Sequence, residues 1–263
     1  MSSIYGSAAG ANVIYGKNNT GVAFGGNGGI PFSDDSDLKA YYKFNETSGN
    51  ILNSSESDES IGSSAELVVT GATYNDTSSP FGYGMSFDGS NDYAAVASSK
   101  SIFNFMHSAA ADFSINMCIK YAGEGDDFIF VDNENGEGVR TGSNEANNFR
   151  GYTKNASGDD CGNVSVAGFF PSTTTFYFVA MTYDQSSGNW AMWRDGVKIE
   201  TDAKTGNTPS SNDSANVMNL ARRPDGGHYT VLTIAEASIW NRKLTDDEID
   251  ELYNDGDGKQ IYV

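Results

Sequence analysis

Basic residues are scarce in this chain of 263 residues. Sixteen lysines and arginines stand against 35 aspartates and glutamates, for a net charge of −19. So negative a surface repels phosphate backbones and anionic lipid, which argues against nucleic-acid binding and membrane docking. Cysteine is scarcer: Cys118 and Cys161 are the only two. They are too few for a disulfide framework and read as free, buried thiols. Histidine is limited to His107 and His228, and neither G-x-S-x-G nor H-E-x-x-H occurs, so no hydrolase motif is present. No run approaches about eighteen apolar residues, so no membrane insertion is expected. The opening MSSIYGSAAGANVIYGKNN lacks a basic stretch followed by an apolar one, so no cleavable export signal is expected.

Hydrophobic residues make up 38% of the chain, enough for a core and too much for global disorder. Residues 1–37 stand apart. They are rich in Gly, Ser, Ala and Asn and keep no sustained period. Their apolar residues come in small groups: Ile4, Tyr5, Val13, Ile14, Tyr15 and Phe24 among them. Such a segment does not offset its own ordering entropy. It reads as an arm, extensible to roughly 120 Å, whose apolar groups anchor it on a neighbouring subunit.

From residue 38 to 263 the pattern is β. Strands are expected near 38–44, 65–70, 84–87, 92–96, 112–121, 127–131, 148–153, 163–169, 175–183, 190–194, 197–200, 216–221 and 229–240, separated by turn clusters. Short strands at such spacing mark a sandwich or barrel. Phe113, Ile115, Met117, Ile119 and Tyr121 alternate with more polar residues, as in a half-buried strand. Residues 176–183 are apolar on both faces, as in a central strand. Asp195-Gly196 supplies the positive-φ pair of a hairpin turn. One helix closes the chain: Thr245 and Glu248 form a capping box, and Ile249, Leu252 and Tyr253 share a face.

Six segments resemble, in order, the concanavalin A-like, laminin G-type jelly rolls. LKAYYKFNETSG (38–49) resembles the family's L-V-A-Y-W-x-F-D-E-x-S-G, and FGYGMSFDGSNDY (81–93) its G-x-A-L-x-F-D-G-x-x-D-Y. FSINMCIK (113–120), FYFVAMTY (176–183), RDG (194–196) and IWNRKLT (239–245) follow. The resemblance covers about residues 38–256 and implies an all-β fold: a two-sheet antiparallel jelly-roll sandwich with one short C-terminal helix. Residues 1–37 lie outside it.

The same resemblance implies one structural calcium, with Asn45, Glu46 and Glu236 as its candidate ligands. Calcium takes about six to eight oxygens, and two family carboxylates are missing: F-D-E is F-N-E here, and Asp-Glu is Ala235-Glu236. The acidic loops at 132–135 and 255–257 are further chelation candidates. For sugar, the candidate aromatic platforms are Tyr152, Trp190 and Trp193. Hydrolysis of glycosides on this fold needs paired carboxylates about 5 Å apart in retaining enzymes. No strand offers acids at period two, and the acidic run at 246–251 sits on the capped helix, so an enzyme is not expected. The N-x-S/T sequences read as chance in an Asn- and Ser-rich chain.

A lectin-like sandwich, no export signal and a Gly/Ser-rich arm together suggest a virion structural protein of a phage. It would be made in the host cytoplasm and displayed on the particle surface in a capsid-decoration or tail-fibre role. The arm would bind other capsid subunits, the protein would be a homo-oligomer, and the sandwich would face cell-surface glycans. The competing expectation is a free carbohydrate-binding or adhesion module.

Overall fold

The computed structural model describes residues 32, 35–55, 65–96, 102–107, 112–123, 128–132, 138–142, 147–155, 157–203, 207–210, 217–224, 226–256 and 261. In chain order the strands are β1 (Leu38–Tyr42), β2 (Leu67–Thr70), β3 (Met85–Asp88), β4 (Tyr93–Val96) and β5 (Phe113–Tyr121). Then come β6 (Phe128–Asp132), β7 (Gly138–Gly142), β8 (Phe149–Lys154), β9 (Asp160–Val166) and β10 (Tyr177–Asp184). β11 (Asn189–Arg194), β12 (Val197–Ala203), β13 (Asn219–Leu220) and β14 (Val231–Trp240) precede the helix α1 (Asp246–Tyr253). The expected strands are present with ends shifted by a few residues. β7 was not expected, because GVRTG has too little apolar content to show a period.

Two seven-stranded antiparallel sheets form the sandwich. Sheet I runs β1-β14-β5-β10-β11-β12, with β3 also paired to β14; sheet II runs β2-β4-β13-β6-β7-β8-β9. The β11–β12 hairpin turns through Asp195 and Gly196, at φ 52° and 74°, the left-handed pair expected of Asp-Gly.

The inner faces meet in one core. It includes Ile115, Met117 and Ile119 of β5, Val179 and Met181 of β10, Phe149 of β8 and Val164 of β9. A second buried cluster lies on the outer face of sheet I: Tyr41, Phe178, Ala180, Ala191, Trp193 and Trp240 are roofed by Leu244, Ile249 and Leu252 of the helical segment and by Phe32 and Ile261. Sheet I is thus covered on both faces, which is why residues 176–183 are apolar on both.

The roof is pinned by charge. Thr245 caps α1 and completes the capping box with Glu248. The Arg242 guanidinium, under this roof, pairs with Glu248 at 2.8 Å and with Asp35 at 2.7 Å. Phe32 is fully buried, with its ring 5.6 Å from that of Trp240. A boundary at residue 37 therefore cuts too late: Phe32 and Asp35 belong to the sandwich, because they bury apolar area and neutralise a half-buried cation. The anchor residues Ile4, Tyr5, Val13, Ile14, Tyr15 and Phe24 lie outside the described residues.

Candidate functional site

The most perturbed carboxyl sits where β14 passes from one partner to another. β14 pairs with β3 through Val231–Ile234 and with β1 further on, and a bulge between Ile234 and Glu236 sets Glu236 opposite Cys118 of β5. The side chain enters the roofed outer face and is 6% exposed. The Tyr83 hydroxyl donates to its Oε1 at 2.5 Å. Oε2 has no hydrogen-bond partner among the described residues. Burial pushes the carboxyl up to about 8, against the pull of the Tyr41 and Tyr83 hydroxyls and of Lys43. The neighbouring Tyr41 phenol and Cys118 thiol are raised as well, chiefly by burial. Tyr41, Asn116, Phe178, Leu252 and Ile261 help wall a cavity of about 20 Å³ around these groups, room for about one water.

Two of the expected calcium ligands lie near each other: the Glu46 charge raises the Glu236 carboxyl. Asn45 is exposed. Glu46 accepts from the Leu52 N–H through Oε1 at 2.9 Å, and its buried Oε2 has no partner among the described residues. Glu236 lies in the roofed cavity, where burial disfavours the charged form of its carboxyl. Among the described residues no three His, Cys, Asp or Glu side chains are grouped to hold a metal.

The three aromatic platforms separate. Trp190 is fully buried in the core, with its ring 5.4 Å from those of Phe113 and Tyr183. A Cβ on Gly162 would lie 2.6 Å from its indole, so glycine there is what lets the ring in. Trp193 is 2% exposed, on the roofed face of sheet I, with Lys198 Nζ 4.9 Å from its ring. Neither tryptophan can stack on a sugar, because both faces of β11 are covered.

Tyr152 lies on the other side of the molecule. On β8, Phe149 is in the core and a Cβ on Gly151 would meet Met181 and Trp190. Alternation therefore places Arg150, Tyr152 and Lys154 on the outer face of sheet II. The tyrosine is nonetheless 3% exposed, no more open to a sugar than the tryptophans, with Arg150 4.9 Å and Lys154 5.5 Å from its ring. Arg150 Nε also donates to Asn163 Oδ1 of β9 at 3.2 Å. The period-two pattern R-x-Y-x-K is the sequence signal that would have found this face.

A second such stack lies on the same sheet. Ala94 and Val96 of β4 point into the core, so Tyr93 is on the outer face. Arg222 lies 3.5 Å from the Tyr93 ring centroid, and Tyr93 is 6.3 Å from Tyr229. Arg222 also donates to Asn219 Oδ1 from Nε at 3.2 Å and from Nη2 at 2.8 Å. Ala221 and His228 flank this loop with φ of 63° and 54°, left-handed conformations that side chains other than glycine adopt at a cost.

The comparisons with known proteins agree with this architecture. The profile of the concanavalin A-like lectin/glucanases superfamily, laminin G type, matches residues 88–250. The chain belongs to that superfamily: it is a lectin-like domain. No curated protein matches it. Among solved structures, it is similar to the receptor-binding domain of botulinum neurotoxin type G, at 13% identity and a TM-score of 0.61, over 83% of this chain and 51% of that one. It is also similar to the binding domain of botulinum neurotoxin DC in complex with SialylT, at 16% identity and a TM-score of 0.63, over 85% and 52%. The neurotoxin DC binding domain in complex with rat synaptotagmin II gives 15% identity and a TM-score of 0.59, over 83% and 51%. The chain spans about half the length of these structures. At such identities the likeness is one of fold.

Proposed function

We propose that this chain is a non-enzymatic adhesion module that binds glycans on the outer face of sheet II. One observation carries the reading. The outer face of sheet I is roofed by the helix, Phe32 and Ile261, whereas on the outer side of sheet II Tyr93 and Tyr229 are half-buried, with the Arg222 guanidinium on the Tyr93 ring and His228 exposed beside them. Tyrosine rings, amides and charged forks are the groups that hold hydroxylated ligands at a protein surface. Two of the neurotoxin binding domains of like fold were solved with SialylT and with rat synaptotagmin II, which makes receptor recognition a use this architecture supports. The raised carboxyl of Glu236 does not compete with the reading, because its cavity admits water and not a sugar ring. A glycan array probed with the intact chain tests the proposal: binding to a defined set of sugars is expected, and no binding to any sugar overturns it.

Display on a phage particle is the narrower proposal and rests on the lectin-like sandwich together with the Gly- and Ser-rich composition of residues 1–31. Deleting those residues should leave the sandwich folded and abolish incorporation into particles. Incorporation of the shortened chain would contradict it.

A further inference from the structure

We propose that the outer side of sheet II binds a neutral oligosaccharide of N-acetylated sugars, its acetamido methyls resting on an apolar strip of Leu52, Val68 and Ala95 beside Arg222. This deepens the glycan-binding reading and rests on it. The strip follows from register. Leu67, Ala94 and Val96 face the core, while Val68 pairs with Ala95 and Thr70 with Tyr93. Alternation therefore turns Val68, Thr70, Tyr93 and Ala95 outward. Ile51 is also in the core and bridges to Leu67, so Leu52 stands beside Val68 on the same side. Among the described residues four large hydrophobic side chains are exposed, and two of them are these neighbours: Leu52 at 50% and Val68 at 42%. Ala95, next in line, is half-buried and carries only a methyl, which leaves the strip open to a ligand.

Polar groups mark the two ends of the strip. At one end Glu66, half-buried just before β2, has no bonding partner among the described residues. At the other, Arg222 lies on the Tyr93 ring and donates to Asn219 from one edge of its guanidinium, Nε and Nη2; a planar fork has a second edge to offer. From Glu66 to Thr70, which stands opposite Tyr93, is roughly 14 Å at about 3.4 Å per residue, more than one sugar ring spans. A ligand that fits needs an apolar group for the middle, an acceptor for the guanidinium and a donor for the carboxylate. The acetamido group carries all three in its methyl, C=O and N–H. A carboxylated or sulfated sugar is repelled by a chain of net charge −19, and a sugar bearing hydroxyls alone leaves the leucine and valine without an apolar partner.

Titration calorimetry of the intact chain with triacetylchitotriose tests the inference, with cellotriose and deacetylated chitotriose alongside. Cellotriose has the same backbone and lacks only the acetamido groups, so the acetylated sugar should bind roughly tenfold tighter or more. Val68→Ser and Leu52→Ser, at exposed positions, should each weaken it roughly fourfold, and Arg222→Gln roughly tenfold. Added salt should leave the affinity unchanged, because the ligand carries no charge. Circular dichroism confirms that each variant is folded. Affinity unchanged in both serine variants overturns the location. Equal binding of cellotriose, or tighter binding of the cationic deacetylated sugar, overturns the ligand class and leaves the glycan-binding reading standing. No binding of any of the three overturns the inference, and with a blank array it sinks that reading itself.

Discussion

Glu236→Gln isolates the one carboxyl that burial holds neutral. Its folded-state value is raised from 4.5 to about 8, so the folded chain holds a proton that the unfolded chain gives up. The sign follows: the contribution to stability is fully present below about 4.5 and is lost as pH rises through about 8. Each pH unit between these values costs about 1.4 kcal/mol. Between about pH 6 and about pH 9 the loss comes to roughly 3 kcal/mol. Glutamine is nearly isosteric, keeps an oxygen to accept from Tyr83, and does not ionise. Urea unfolding of parent and variant across this range, taken as a difference, cancels the titration of all other groups. The difference should widen in favour of the variant by roughly 3 kcal/mol from about pH 6 to about pH 9. A difference that stays flat would refute the assignment of a proton to this buried carboxyl.

Three further outcomes test the packing. Gly162→Ala drives a methyl to 2.6 Å from the Trp190 indole and 2.8 Å from the Tyr183 ring; thermal melting should register about 1–3 kcal/mol of overpacking or more. Arg242→Leu strands Asp35 and Glu248, which are 5% and 7% exposed, and should cost about 3–5 kcal/mol in urea, whereas loss of an exposed pair such as Lys198–Asp246 should cost under about 1 kcal/mol. A chain starting at residue 38 lacks Phe32 and Asp35. It should be less stable than one starting at residue 32 by about 3 kcal/mol or more, and equal stability would mean that the two residues do not hold the roof.

The fold was legible because it is written locally. Alternation along β5, the Asp195-Gly196 turn and the Thr245–Glu248 capping box each act within a few residues, and the family resemblance supplied their order. β7 escaped because its five residues include two glycines and one apolar side chain. The tryptophans were misread for a different reason. Trp190 and Trp193 fall on opposite faces of β11, and only the roof built by Phe32, Leu252 and Ile261 buries the second face. Glu236 was placed among calcium ligands by resemblance; its burial follows from a bulge and from Tyr83, 153 positions away, which one sequence does not display. The arginine–tyrosine face was half visible. R-x-Y-x-K on β8 follows the strand period, but its link to Arg222 and Tyr93 depends on cross-strand register, which one sequence does not display.

Amide chemical shifts of the intact chain, titrated with a sugar that the glycan array returns, test most directly whether the outer side of sheet II is the binding surface. The account predicts shifts concentrated at residues 93, 219–223 and 226–229, with the helical roof over sheet I unmoved. Shifts confined to that roof, or none at saturating ligand, would contradict it.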